Sequence, residues 1–238
     1  MITVRKKTDR GHFDFGWLDT NHTFSFGEYH DPQNMGFRSL RVLNEDRVQA
    51  GQGFGRHGHR DMEILSYVLS GELSHEDSEG NKGVIRNGDV QRMTAGTGIM
   101  HSEFNASKKE PVHFLQIWIQ PDKKGAPPRY EDRSFPLEKR KNRLCLIASP
   151  DEAEGSLSLH QDARAYATVL DAGKAVTLET AEGRGFWVQA AKGRIHIEGA
   201  TAAEGATLEA GDGAGLQGER KLVLRAETDA EALVFDLA

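Results

Sequence analysis

Cysteine and long apolar runs are scarce in this chain. Cys145 is the only cysteine among the 238 residues, which excludes an internal disulfide framework and any cysteine-rich zinc or iron–sulfur site. No stretch approaches the ~20 consecutive apolar residues that a membrane-spanning helix needs. The N-terminus becomes polar at once and has no apolar signal-peptide core. The sequence therefore predicts a soluble cytoplasmic protein.

Positive charge is not in excess either. The chain has 30 Lys and Arg residues against 36 Asp and Glu, giving a formal charge of −6. Sites that bind nucleic acid usually gather an excess of basic side chains, whereas the short basic clusters here have acidic neighbours or lie in polar turns. We expect neither nucleic acid nor a membrane as a partner, and a protein partner is left open.

Long runs of helical period are also missing, and the 26 glycines suit short strands joined by tight turns. Strands at intervals of about 8–12 residues favour an antiparallel sandwich or barrel over a βαβ sheet. The segments that we predict as strands are Ser39–Leu43, Glu63–Leu69, Val84–Arg86, His113–Ile119, Arg143–Ile147, Ala165–Leu170, Ala175–Leu178, Phe186–Gln189, Arg194–Ile197, Lys221–Leu224 and Ala232–Leu237.

Two halves of the chain resemble each other weakly. Val68–Glu76 and Ala190–Glu198 share a Gly-x-[Leu/Ile] centre, and each is followed by a Gly-Asp pair, Gly88-Asp89 and Gly211-Asp212. Two tandem copies of one β module explain this pattern. A boundary fits the polar stretch Pro121–Asn142, whose prolines cannot continue a central strand. The predicted domains are residues 1–130 and 131–238.

Two pairs of residues that could ligate a metal are each separated by one residue, which is the spacing of side chains on one face of a strand. His57 and His59 lie in GQGFGRHGHRDMEI, and His101 and Glu103 lie in MTAGTGIMHSEFN. Residues i and i+2 of a strand point to the same face, so both pairs can reach one ion if their strands face each other in a small barrel. Three imidazoles and one carboxylate leave positions open on a metal with five or six ligands, which suits Fe(II) and O₂ chemistry.

The competing interpretation is structural, because a histidine is more often a surface or hydrogen-bonded core residue than a ligand. Chance alone is a poorer explanation for two such pairs, each beside a Gly-rich turn, than for a single histidine. The scattered histidines, including His75, are interpreted as structural or surface residues, and His160 is assigned no chemistry.

The same segments resemble a known family. Gly51–Gly71 is similar to the first cupin motif and Gly88–Asn105 to the second, although Thr94 stands where many cupins have Pro. HTFSFGEYHDP, MGFRSLRVLNED, GQGFGRHGHRDMEILSYVLSGELSHEDSEGN, TAGTGIMHSEFN, LQIWIQP and SLSLHQDAR resemble the bacterial pirins related to quercetin 2,3-dioxygenase. The resemblance implies an all-β bicupin, with two tandem cupin β-barrels of the double-stranded β-helix or jelly-roll type.

The resemblance also implies a ligand set. One divalent metal, Fe(II) in first place with Ni, Co, Mn, Cu or Zn as alternatives, is expected in the N-terminal barrel alone, on His57, His59, His101 and Glu103. Glu63 matches a glutamate that many other cupins use as a ligand. Pirins use the later carboxylate instead, so Glu63 is expected at most to orient a ligand histidine. The C-terminal barrel has no histidine at the matching positions and is interpreted as structural or substrate-shaping.

Two functions follow from this resemblance. The first is a dioxygenase that cleaves a flavonol such as quercetin with O₂ and releases carbon monoxide, with Glu103 as ligand and general base. Phe54, Met93 and Gln116 are then expected to line the pocket of a small aromatic substrate, although Gln116 could equally be a core amide bonded to backbone. The alternative is a non-catalytic regulatory protein whose metal redox state controls binding to a protein partner.

Overall fold

The computed structural model of the chain describes residues 1–199 and 205–238. Strands dominate it, as the sequence predicts. The helical segments are the single-turn α1 (Leu137–Arg140) and two 3₁₀ turns (Lys7–Asp9 and Ala153–Gly155). No helix in these described ranges has the length and apolar character that crossing a bilayer requires.

The described chain divides into two compact units. The N-terminal unit comprises Gly11–Ser134 and Leu157–Gln161, and the C-terminal unit comprises Met1–Arg10, Phe135–Ser156 and Asp162–Ala238. The first ten residues, which the predicted 1–130 domain includes, thus belong with the C-terminal unit. The physical reason is that strand β1 (Ile2–Arg5) pairs antiparallel with Gly213–Gln217 of that unit.

Two antiparallel sheets build the N-terminal unit. These sheets are formed by β2 (Gly11–Asp14), β3 (Leu18–His22), β4 (Leu40–Val48), β5 (Gly53–His59), β6 (Glu63–Ser70), β7 (Glu72–Asp77), β8 (Lys82–Arg86), β9 (Asp89–Thr94), β10 (Ile99–Asn105), β11 (Val112–Ile119) and β12 (Arg129–Ser134). The unit also contains the two-residue strand β14 (Leu157–Ser158), which belongs to neither of these sheets. One sheet has the order β12-β9-β6-β11-β4-β3-β2, and the other has the order β5-β10-β7-β8. The prolines that precede β12 fit its place at a sheet edge, where a missing backbone donor is tolerated.

The C-terminal unit repeats this plan. Its further strands are β13 (Cys145–Ser149), β15 (Ala163–Leu170), β16 (Ala175–Glu179), β17 (Gly185–Lys192), β18 (Arg194–Ile197), β19 (Ala206–Glu209), β20 (Gly213–Gln217), β21 (Lys221–Ala226) and β22 (Ala230–Leu237). One sheet contains the run β1-β20-β17-β22-β15-β13, and the other is β16-β21-β18-β19. Apolar side chains, among them Leu224 and Ala226, fill the core of this unit.

The internal repeat seen in the sequence is borne out by equivalent turns. Gly71 joins β6 to β7 and Gly193 joins β17 to β18, with φ angles of 81° and 70°. Each Gly-Asp pair lies in the turn that leads from one sheet to the other: Asp89 accepts a hydrogen bond from the backbone N–H of Arg86, and Asp212 accepts one from that of Glu209. The same turn chemistry at matching places supports two copies of one β module.

Candidate active site

Strands β5 and β10 bring the two predicted ligand pairs together. They pair antiparallel, with His57 opposite His101 and a bulge between His101 and Glu103. The ring centroids of His57, His59 and His101 lie 4.5 to 4.8 Å apart. The close approach depends on Gly53, where a Cβ atom would lie 2.3 Å from the carbonyl oxygen of Glu103. The three imidazoles thus form one cluster, which we call the histidine cluster.

A chain of hydrogen bonds sets the tautomers of two of these imidazoles. Nδ1 of His57 lies 2.8 Å from the carbonyl oxygen of Gly55, to which it can only donate, so its Nε2 carries the lone pair. Nε2 of His75 lies 3.2 Å from the Asp77 carboxylate, and Nδ1 of His75 lies 3.4 Å from Nδ1 of His101. With His75 donating to Asp77 and accepting from His101, Nε2 of His101 carries the lone pair as well.

This arrangement fits a bound cation. Nε2 of His101 and Nε2 of His57 face each other at 3.1 Å, and two lone pairs at that distance repel unless a positive ion lies between them. Burial, followed by the neighbouring imidazoles, lowers the pKa of His59 to about 4 and that of His101 to about 3. Both rings are therefore neutral near pH 7, which is the form that binds metal.

Glu103 is buried beside the cluster and firmly held. Its Oε1 accepts hydrogen bonds from Ser66 at 3.1 Å and from Gln91 at 2.8 Å, and its Oε2 accepts one from Gln116 at 2.7 Å. The carboxylate of Glu103, His101 and His75 offer ligand atoms that all lie within 4.8 Å of one another, a spacing that could hold a metal ion. The three imidazoles of the histidine cluster form a second group with the same spacing. His101 is common to both groups.

A cavity of about 320 Å³ opens onto the histidine cluster from within the N-terminal unit. Its walls are mainly aromatic. Ring centroids lie 5.2 Å apart between His22 and Phe26, 5.2 Å between Phe26 and Trp118, and 4.8 Å between Trp118 and His59. The lining residues are Phe13, Phe15, Leu18, Thr20, His22, Phe26, Gly27, Glu28, Asn44, Asp46, Phe54, His57, His59, Glu103, Gln116 and Trp118. The volume falls in the range of about 300–1,000 Å³ typical of small-molecule pockets.

Comparison with known proteins agrees with this geometry. The Pirin family model matches residues 3–119, and the model of the quercetinase C-terminal cupin domain matches residues 146–237. The chain is 46% identical over 237 residues to quercetin 2,3-dioxygenase of Escherichia coli, covering 100% of this chain and 99% of the relative. The chain belongs to the pirin family.

Further relatives extend the likeness over the full length. A pirin-like protein of Caulobacter vibrioides is 40% identical over 237 residues, covering 98% of this pirin and 99% of the relative. The crystal structure of the bacterial pirin YhhW from Escherichia coli in complex with nickel(II) superposes with a TM-score of 0.92 at 45% identity, covering 100% of this chain and 99% of that one. The predicted all-β bicupin fold is confirmed.

The predicted pocket residues divide into two groups. Phe54 and Gln116 line the cavity of this pirin. Met93 requires a correction, because it does not line the cavity but packs with Ile64 and Ile99 in a buried apolar cluster. Trp118 packs against that cluster and lines the cavity, so that it contributes to the cavity wall and Met93 does not.

Glu63 lies outside the histidine cluster, in line with its exclusion from the predicted ligand set. It accepts a hydrogen bond from Thr94 at 3.0 Å and lies 3.2 Å from Nδ1 of His160. Burial raises the pKa of Glu63, against the lowering effect of Arg92 and of these hydrogen bonds. None of its hydrogen-bond partners in the described part of the chain is a member of the histidine cluster. Glu63 and His160 therefore form a polar cluster of their own.

His75 and Asp77 are site residues that the sequence analysis missed. They stand two residues apart on β7, the spacing that revealed the other two pairs, and β7 pairs with β10 so that Asp77 lies opposite His101. Although burial raises it, hydrogen bonds from Asn81 and His75 hold the pKa of Asp77 below its usual value. The anionic carboxylate fixes the tautomer of His75, and through it that of His101.

We expect His75→Phe to weaken metal binding roughly 10- to 100-fold, the usual effect of removing a partner of a ligand histidine. The phenyl ring keeps the stacking on Tyr130 but cannot accept the His101 hydrogen bond. His113→Phe is a matched control, because it removes another imidazole paired with a carboxylate, that of Glu45 at 2.9 Å. Competition with a chelator measures both affinities, and equal affinities would contradict the role given to His75.

A carboxyl group lies buried in the cavity wall. Asp46 is 4% exposed, and burial raises its pKa to about 7, with smaller raising effects from Glu103, Glu45 and Asp19 and a lowering hydrogen bond from Thr20. In the metal-free protein this group is protonated more readily when folded than when unfolded. Its ionisation therefore destabilises the fold as pH rises from about 4 to about 7.

Asp46→Asn should consequently stabilise the metal-free protein at pH 8. A shift from 3.8 to about 7, at about 1.4 kcal/mol per pKa unit, sets an upper limit of about 4 kcal/mol on the gain. The gain should shrink towards pH 5, where the wild-type carboxyl is protonated as well. Urea denaturation of both proteins at the two pH values measures it, and a difference independent of pH would contradict the ionisation argument.

Proposed function

We propose that this pirin is a metal-dependent dioxygenase that cleaves a flavonol such as quercetin with O₂ and releases carbon monoxide. The observation that carries the proposal is the opening of the histidine cluster and Glu103 into a cavity with aromatic walls. A flat polyphenol fits such walls by ring stacking. A protein that only reports the oxidation state of its metal needs no such cavity, so the regulatory alternative is not favoured.

His57, His59, His101 and Glu103 are the residues that would hold the metal, with Fe(II) as the proposed ion. Bound there, the metal would supply a Lewis acid with open positions for the substrate oxygen and O₂. The two lone pairs of His57 and His101 at 3.1 Å and the low pKa values of His59 and His101 support this assignment.

The protein's own part in the reaction is binding and proton transfer. Phe26 and Trp118 line the cavity and provide faces on which an aromatic ring can stack. Glu103 accepts the proton of the substrate hydroxyl on a carboxylate oxygen. Hydrogen bonds from Gln91 and Gln116 keep that carboxylate in one orientation during the transfer.

Anaerobic reconstitution with Fe(II) tests this function. After addition of O₂, the flavonol absorption band should disappear with release of one carbon monoxide for each flavonol consumed. Free Fe(II) and the metal-free protein are the controls. A rate no higher than that of free Fe(II) would contradict enzymatic function, and two bound ions per chain would contradict a single metal site.

A further inference from the structure

Asn44 and Asp46 form a pair of buried acceptors in the cavity wall. They stand two residues apart on β4, so both side chains lie on the same face of the strand, and both line the cavity. They are 3% and 4% exposed. Oδ1 of Asn44 and Oδ1 of Asp46 have no hydrogen-bond partner within the described residues. Buried polar atoms are rarely left unpaired in native proteins, so this pair calls for an explanation.

The charged side chains around the cavity indicate which kind of ligand could donate hydrogen bonds to these two oxygens. Glu28 and Glu103 contribute carboxylates, Asp46 contributes a buried carboxyl group, and no Lys or Arg lies among the described residues that line it. An anionic ligand would meet repulsion there. A neutral ligand with hydroxyl groups supplies donors for the unpaired oxygens and a ring for the aromatic walls. The cavity therefore suits a polyhydroxylated aromatic molecule better than an aromatic acid.

We propose that Asn44 and Asp46 form a subsite that accepts hydrogen bonds from substrate hydroxyl groups other than the one that reacts. The proposal rests on the proposed function, because it assumes that the reacting hydroxyl lies at the histidine cluster and Glu103. The subsite anchors the ring system away from the metal and selects substrates by their hydroxylation. Asn44 and Asp46 are specificity-determining residues in this account, and Glu103 alone acts as the base.

The adjacent carboxylate of Glu45 provides a matched control. Glu45 lies between the two acceptors in sequence, and its side chain pairs with Arg47 at 3.0 Å and His113 at 2.9 Å. It does not belong to the cavity lining. Glu45→Gln thus makes the same change in charge as Asp46→Asn, at a neighbouring position on the opposite face of the strand.

The test is a binding titration of the metal-loaded protein without O₂. The two ligands are quercetin and 3-hydroxyflavone, a flavonol that has only the reacting hydroxyl. Asp46→Leu and Asn44→Leu remove the acceptors with little change in volume. Each should weaken quercetin binding roughly 10-fold or more, as expected for a hydrogen bond to a buried polar or charged group, and leave 3-hydroxyflavone binding unchanged. Asp46→Asn, which keeps one acceptor oxygen, should lose less than Asp46→Leu.

The outcomes separate this proposal from the proposed function. Equal losses for both ligands, or no loss for quercetin, would overturn the subsite while the function stands. A wild-type protein that binds neither flavonol would overturn the proposed function and the subsite with it. Glu45→Gln should bind both ligands as the wild type does, and a loss of quercetin binding in that variant equal to that in Asp46→Leu would overturn the assignment to the cavity face.

Discussion

Replacing both His57 and His59 with Ala should abolish metal binding and leave a folded protein. Two of the three imidazoles of the histidine cluster are lost, so that only His101 and Glu103 of the proposed ligand set remain, and His75 is engaged with Asp77 and His101. The fold survives because the core of the N-terminal unit is formed by other residues, among them Val68 and Phe114, which are fully buried. Elemental analysis should show a fall from one ion per chain to background, with an unchanged circular dichroism spectrum.

Thermal stability provides a second measurement on the same variant. A ligand that binds only the folded state stabilises it by about 4 kcal/mol at a thousand times its dissociation constant, so added metal should raise the Tm of the wild type and not that of the double variant. His12→Ala with His30→Ala removes two exposed histidines as a control and should keep the metal response. Full metal occupancy in the His57, His59 variant would show that the ligand set is wrong.

Glu103→Gln should lower turnover of the metal-loaded protein roughly 10²-fold or more, the scale of a lost general base. Glutamine lacks the basic carboxylate. Gln91 and Gln116 each donate a hydrogen bond to a different carboxylate oxygen of Glu103, so the NH₂ group of the new glutamine must face one of these two donors. Metal binding should therefore weaken but remain measurable. Turnover is to be compared at equal metal occupancy, and a flavonol deprotonated at higher pH should recover part of the rate.

A swapped variant separates proton transfer from hydrogen bonding. Glu103→Gln combined with Gln116→Glu restores a complementary amide–carboxylate pair but moves the carboxylate to β11. We expect this double variant to bind metal better than Glu103→Gln and still to turn over slowly. Turnover of metal-loaded Glu103→Gln at the wild-type rate near pH 7 would instead remove Glu103 from the role of base.

The sequence was a good guide where strands are apolar. All the apolar runs predicted as strands, from Ser39–Leu43 to Ala232–Leu237, overlap strands of the structure. β5 was missed because its sequence, GFGRHGH, has only one apolar side chain and the glycines that its close approach to β10 requires. The meeting of the two ligand pairs was nevertheless predictable, because the i, i+2 rule depends on spacing and not on hydrophobicity.

The cavity was harder to predict from the sequence, because polar residues in and beside its wall interrupt the apolar pattern on which strand prediction depends. The run Ser39–Leu43 reads as a strand that stops before Asn44, whereas β4 continues to Val48 and buries Asn44, Glu45 and Asp46. Polar residues of this kind normally mark the end of a strand. The role of His75 was missed for another reason: it depends on the pairing of β7 with β10, which no local pattern specifies.

The most direct test of the central claim is the fate of isotopically labelled O₂ in the Fe(II)-loaded protein. Mass spectrometry of the products should find both labelled oxygen atoms in the cleaved flavonol and unlabelled carbon monoxide, in equal amounts, with a yield that rises in proportion to the metal bound. A product with one labelled atom or none, or a yield independent of bound metal, would contradict a metal-dependent dioxygenase.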